Sequence, residues 1–124
     1  MHLNDPSALL PLTSTTYHVL LALADANRHG YGIIKEVELR TDGQMELETG
    51  TLYAAMKRMR DDHLIEVVPK SDRPSDEDSR RRTYRLTGFG KQVLTAETKR
   101  LAQLLGIAAD KNVLPAASGM RTER

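Results

Sequence analysis

The apolar positions of this chain fall into four helical stretches and one pair of short strands. From about Ser14 to Ala26, Tyr17, Leu20, Leu21 and Ala24 recur at helical spacing and mark one buried face. Thr13 or Ser14 can cap that helix, and Asn27-Arg28-His29-Gly30 reads as a turn. A second helix runs from about Tyr31 to Arg40, with Tyr31, Ile34 and Val37 on its inner side and Lys35, Glu36 and Glu38 facing water. Thr41-Asp42-Gly43 ends it, Gly43 being suited to a left-handed stop. A connector follows over residues 44–48, with Met45 and Leu47 inward. The third helix covers about Gly50 to Asp62, with Thr49 as cap. Spaced 100° apart, Leu52, Ala55, Met56 and Met59 share one face. The opposite face carries Gly50, Tyr53, Ala54 and Lys57, flanked by Thr51, Arg58 and Arg60.

Two strands come next, Leu64–Val68 and Arg81–Leu86, the second entered through Arg80. The polar, proline-containing stretch 70–79 reads as the loop between them. A fourth helix starts after Thr87 and runs to about Val113. Leu94, Glu97, Leu101, Leu104 and Ala108 alternate at threes and fours along it, with Val93 and Leu105 beside them, a heptad-like seam. Some 25 residues of helix reach roughly 37 Å, more than internal packing of so small a body requires. The excess predicts a partner helix, and Leu94, Glu97, Leu101, Leu104, Leu105 and Ala108 as a dimer interface.

The expected fold is therefore mainly α with a small β-hairpin. It divides into an arm (1–13), a winged helix-turn-helix (14–86), a long C-terminal dimerisation helix (87–114) and a disordered tail (115–124). Leu9, Leu10 and Leu12 make the arm apolar, while Pro6 and Pro11 limit its helicity. Two readings of it stand equally, packing on a partner subunit or a partly ordered terminus.

Charge sharpens this picture because it is segregated. The 124-residue chain has a formal net charge of only +1. Residues 25–48 carry three basic and six acidic side chains, whereas Arg80, Arg81, Arg82, Arg85 and Lys91 lie in 80–91 with no acid. A basic patch matters more than the sum, and a helix followed by a basic hairpin makes double-stranded DNA the first partner to consider. There is no cysteine, which removes disulfides and thiolate chemistry and fits a reducing cytoplasm. No apolar run approaches the roughly 20 residues needed to span a bilayer, so no membrane association is expected. Met1–Asp5 lacks the basic start of a signal peptide, and a cytoplasmic location is the expectation.

A helix that enters a major groove must present small or hydrogen-bonding side chains. Gly50, Thr51 and Ala54 permit close approach. The hydroxyls of Thr49 and Thr51, and the free N–H groups at the helix start, can bind phosphate. Tyr53 can reach phosphate or pack on sugar, and Lys57 can touch a base edge or phosphate. Arg58 and Arg60 either contact phosphate or stand on an ordinary solvated face. In the wing, Arg80 and Arg82 share one face of an alternating strand and Arg81 the other, so at least one is expected on the DNA backbone or minor groove. The candidate DNA-binding set is Thr49, Thr51, Tyr53, Lys57, Arg58, Arg80, Arg81 and Arg82. The acidic run Asp76-Glu77-Asp78 is better read as solvated loop, and Tyr31 and Tyr84 as core. His2, His18, His29 and His63 lack metal-ligand spacing, so no metal and no cofactor are expected.

His29-Gly30-Tyr31-Gly32-Ile33, Gly50-Thr51-Leu52-Tyr53, Leu64-Ile65, and Arg82-Thr83-Tyr84-Arg85-Leu86-Thr87 with Gly90 together resemble the PadR family of transcriptional regulators, over about residues 9–105. The resemblance implies a winged helix-turn-helix with a C-terminal dimerisation helix, in the short branch of the family. It also implies a dimeric DNA-binding repressor, with a small-molecule inducer bound near the dimer interface. Two departures stand out. Thr87-Gly88-Phe89-Gly90 lacks the acids that members often place there, which forgoes about 0.3–1 kcal/mol at a helix N-terminus. The chain has no Trp, so the tryptophan sandwich by which some short members hold aromatic drugs does not carry over.

Other readings fare worse. A winged helix used only for protein contacts would have an apolar or acidic third helix and no basic wing. A regulator of the multiple-antibiotic-resistance type would build its dimer from helices at both ends of a longer chain. An enzyme would need a nucleophile–base pair, paired carboxylates, a phosphate loop or a metal cluster, and none is legible.

Overall fold

The computed structural model describes residues 5–69 and 81–115. Among them are helices α1 (Ser14–Ala22), α2 (Gly30–Arg40), α3 (Thr49–Asp61) and α4 (Gly88–Asp110), and strands β1 (Arg28–His29), β2 (Ile65–Val67) and β3 (Thr83–Leu86). The strands form one antiparallel sheet in the order β1-β3-β2. The mainly helical fold with a small sheet agrees with the sequence expectation. The sheet has three strands rather than two, because the supposed turn before α2 pairs with β3, Arg28 opposite Tyr84 and His29 opposite Thr83.

The first helix lies at the centre, with Val19 and Leu20 wholly buried. The Thr13 hydroxyl caps it by accepting the Thr16 N–H at 3.1 Å. It stops at Ala22, short of the expected Ala26. Arg28 supplies the reason: its Nε donates to the Ala22 carbonyl at 2.7 Å, while its guanidinium pairs with Asp25 and Glu36. That side chain satisfies the helix end and turns the chain into β1.

The inner face of α2 is Gly30, Ile33 and Val37, one residue out of phase with the Tyr31/Ile34/Val37 face read from sequence. Tyr31, expected in the core, is 60% exposed, whereas Tyr84 is buried as expected. On α3 the buried set is Leu52, Ala55, Met56 and Met59, as the periodicity predicts. Thr49 is the first helical residue rather than the cap; Glu48 takes that place and makes no side-chain capping bond.

Three helices end in one way. After α2, α3 and α4 the chain passes through a left-handed residue, Asp42, His63 and Asn112 respectively. In each, the next N–H reaches back to the third-last helical carbonyl: Gly43 to Glu38, Leu64 to Met59 and Val113 to Ala108. This is the Schellman arrangement; at α2 the left-handed stop expected at Gly43 is found there, and Asp42 before it shares the positive φ. Asp, His and Asn are residue types that tolerate the left-handed region better than most.

The Leu64 carbonyl then anchors α4. It accepts the Thr87 N–H at 3.1 Å, while the Thr87 hydroxyl lies 2.5 Å from the His63 carbonyl oxygen and also accepts the Gly90 N–H. A Cβ on Gly90 would overlap the Leu64 carbonyl oxygen, so this approach requires glycine. The N-terminal part of α4 completes the core through Val93 and Leu94. A single 3-10 turn, Pro6–Leu9, and the partly buried Leu9, Leu10 and Leu12 pack on the chain's own body. The arm is thus an intramolecular strap.

Candidate nucleic-acid interface

The solvent side of α3 is small and polar because its apolar residues are all drawn inward. Thr49, Gly50, Thr51, Tyr53, Ala54, Lys57 and Arg58 are exposed, and a Cβ added at Gly50 would project into open space. A helix with so few bulky side chains outward can lie close to base edges. Its cations are not equally available. Lys57 pairs with Asp61 at 3.1 Å across one helical turn, with both side chains mostly in water. Such exposed pairs are worth only about 0.3–0.5 kcal/mol, so the pairing leaves Lys57 free to exchange partners. Arg58 turns to the other edge of the helix, where it lines a groove with Pro11, Thr13 and Asp62.

Tyr53 marks the wing-facing edge. It is 44% exposed, and its ring lies over the start of α2, where a Cβ on Gly30 would overlap its hydroxyl. A cleft of about 520 Å³ opens there, walled by His29, Tyr31, Tyr53, Arg81, Arg82 and Tyr84, with Gly30 at its floor. His29 is held by β3: its Nδ1 lies 3.2 Å from the Thr83 hydroxyl and 3.3 Å from the Arg82 carbonyl. Arg81 and Arg82 are exposed and precede β3, so neither obeys strict strand alternation. Arg85, opposite Glu66 in the ladder, is bonded to it at 2.8 Å and is committed within the sheet. Arg80 and the loop 70–79, including Asp76-Glu77-Asp78, lie outside the described residues.

The structure therefore brings Tyr53, Arg81 and Arg82 together, sets Thr49, Thr51 and Lys57 along the adjoining helix face, and separates Arg58 from them. Sequence reasoning missed Tyr31 and His29 as neighbours of this site. The phase of α2 seen in the structure decides it: Ile33 and Val37 share a buried face that places Tyr31 outside.

The expected partner-facing seam of α4 divides in two. Leu94 and Glu97 are only 6% and 2% exposed and point into the chain itself. Glu97 accepts the Leu12 N–H at 2.9 Å and two bonds from Arg100, at 2.6 and 3.0 Å. The Arg100 guanidinium holds the Glu97 carboxyl below the usual carboxylate range; burial works against this and the Leu12 N–H adds to it. These contacts correct the assignment of Leu94 and Glu97 to an intersubunit surface, since the arm already covers them. Leu101 and Ala108 are half-buried, and Leu104 and Leu105 are exposed.

Among the described residues no group of three or more His, Cys, Asp or Glu could hold a metal ion, and no helix is long and apolar enough to cross a membrane.

Comparison with known proteins agrees with the geometry. The chain resembles an uncharacterised protein of Lysinibacillus sphaericus, 28% identical over 86 residues that cover 69% of this chain and 76% of that protein. It is 36% identical over 88 residues to an uncharacterised 37.1 kDa protein in transposon TN4556 of Streptomyces fradiae, covering 71% of this chain but only 23% of that longer protein. Among solved structures, a PadR family transcription regulator of Clostridium difficile superposes with a TM-score of 0.64 at 24% identity, covering 79% of this chain and 97% of the other. A PadR-like transcriptional regulator of Bacillus cereus gives 0.66 at 17% identity, covering 81% and 92%. These likenesses show the fold. The sequence model of the transcriptional regulator PadR-like family matches residues 19–96, from the middle of α1 into α4. The chain belongs to the PadR-like family of transcriptional regulators, not to an enzyme family.

Proposed function

We propose that this protein is a homodimeric, sequence-specific DNA-binding regulator whose output is repression. The observation that carries the reading is the juxtaposition of a small, polar α3 face with the exposed wing arginines Arg81 and Arg82. In this reading α3 enters the major groove, with Thr49, Thr51, Tyr53 and Lys57 as its working residues. Arg81 and Arg82, and Arg80 with them, meet the backbone or minor groove beside it. Arg58 takes at most a flanking phosphate. Residues 14–86 are the DNA-binding body and 87–114 the dimerisation helix.

Dimerisation rests on the C-terminal part of α4. Leu104, Leu105 and Ile107 are 50%, 56% and 51% exposed, an apolar cost that a second copy of the helix removes. The interface comprises Leu101, Leu104, Leu105 and Ala108. Two copies then present their reading helices to half-sites about 34–36 Å apart. A small-molecule inducer held near that interface would meet aliphatic rather than tryptophan side chains, since the chain has no Trp.

The test is an anisotropy titration with the protein's own promoter region across a salt series. A steep linear fall of log affinity with log salt is expected from release of condensed counterions. An affinity indifferent to salt would falsify the DNA-binding reading.

A further inference from the structure

Beside the groove-reading face of α3 lies the cleft that it shares with the wing. Tyr31, Tyr53 and Arg82 wall that cleft and Gly30 forms its floor. Among the described residues no carboxylate lines it. Both tyrosines are exposed, Tyr31 at 60% and Tyr53 at 44%, and the Tyr53 hydroxyl lies against Gly30. Arg81 lines the cleft as well, and the Lys35 ammonium stands 5.8 Å from the centre of the Tyr31 ring. Hydroxyl donors and cations without an acid suit an anion rich in acceptor oxygens. About 520 Å³ is generous for a free ion and suits a phosphodiester with its sugar. Position narrows the choice further. The cleft separates the helix proposed for the major groove from the wing proposed for the minor groove. The strand that divides those grooves has to cross it.

We propose that this cleft seats one DNA-backbone phosphodiester, bound by the hydroxyls of Tyr31 and Tyr53 and the guanidinium of Arg82, with Gly30 as the residue that positions Tyr53. The proposal rests on the DNA-binding reading above. Gly30 acts through Tyr53 because any Cβ there would occupy the place of its hydroxyl. Tyr31 owes its outward direction to Ile33 and Val37, which fix the phase of α2 in the core.

The experiment measures DNA affinity of the full chain against operator and unrelated duplexes over a salt series, with thermal melts as control. Tyr31→Phe and Tyr53→Phe are each expected to weaken binding roughly tenfold, the worth of one hydrogen bond to a charged group. The loss is equal on both duplexes and leaves the salt slope unchanged, because a neutral donor releases no counterion. Arg82→Ala weakens binding and lowers the slope by roughly one per site. Gly30→Ala weakens binding in the parent but adds nothing to Tyr53→Ala, since the two act as a unit. Should Gly30→Ala fail to fold, the phenylalanine variants decide alone.

Parent-like affinity of both phenylalanine variants overturns the proposal while leaving the DNA reading intact. A loss confined to the operator overturns it too, by making the tyrosines base readers. Inorganic phosphate that binds the cleft, with DNA affinity indifferent to both phenylalanine changes, assigns the cleft to a free anion instead. Absence of DNA binding by the parent protein removes the underlying reading.

Discussion

The two halves of α4 have similar sequence periodicity and opposite fates. From Gly88 to Arg100 the helix is capped by Thr87, pressed onto the Leu64 carbonyl through Gly90, and covered by the arm. From Leu101 to Asp110 the chain offers it little: Leu104, Leu105 and Ile107 stand in solvent. A regular apolar spacing shows that a helix has something to cover. It does not say whether the cover comes from the same chain. Local chemistry does. Glu97, a carboxylate within an apolar seam, demands donors, and it finds them in Leu12 and Arg100 of its own chain.

Four variants probe that contrast. Leu94→Ala should cost about 3 kcal/mol of folding stability, the usual cost of emptying a buried leucine site. In urea denaturation the loss should not depend on protein concentration, because Leu94 serves the monomer. Leu104→Ser with Leu105→Ser should do the reverse: the dimer weakens by roughly 2–3 kcal/mol as two apolar side chains lose their cover, and the concentration dependence of the midpoint expected of a dimer fades as the protomers separate. Sedimentation reads this directly, and an unaltered assembly would return the exposed half to plain solvated helix.

Glu97→Gln tests the strap by pH. A carboxyl whose pKa is depressed on folding contributes stability that is present above its ordinary value of 4.5 and lost as pH falls through the depressed folded value. Acid melts of the parent should therefore decline below about pH 4.5, and that part of the decline should vanish in the Gln variant. A parallel decline in both proteins would mean that Glu97 is not the coupling group.

The smallest effect is expected at Gly106, in the bare half, where nothing lies within 4 Å of an added Cβ. Gly106 also points away from the Leu101/Leu104/Leu105/Ala108 seam. Gly106→Ala should raise stability by about 0.5–1 kcal/mol through helix propensity alone. A weakened dimer instead would place the partner's backbone on that side.

Much of this was legible from residues. Leu52, Ala55, Met56 and Met59 defined α3 because four apolar positions at one phase leave no alternative face. The Thr87 cap and the glycine three residues later were equally clear. Tyr31 was not, because Gly30 adds no apolar weight to the true inner face of α2, and a tyrosine beside Ile34 makes the neighbouring phase look equally good. β1 was illegible because two residues have no period, and its pairing depends on a strand more than fifty residues away. In sequence Arg58 read as a flank of the Lys57 face, on phosphate or in solvent. Only the path of the arm shows that it faces a different groove.

The junction at Leu64 has a mechanical consequence. The end of α3 and the start of α4 are clasped at adjacent carbonyls, His63 and Leu64. In a dimer held by α4, that clasp is the fulcrum of a lever about 35 Å long. A tilt of about 10° there sweeps the far end by about 6 Å, nearly two base-pair rises of about 3.4 Å each. In such a dimer the stiffness of these two carbonyl contacts would set how much variation in half-site spacing can be followed.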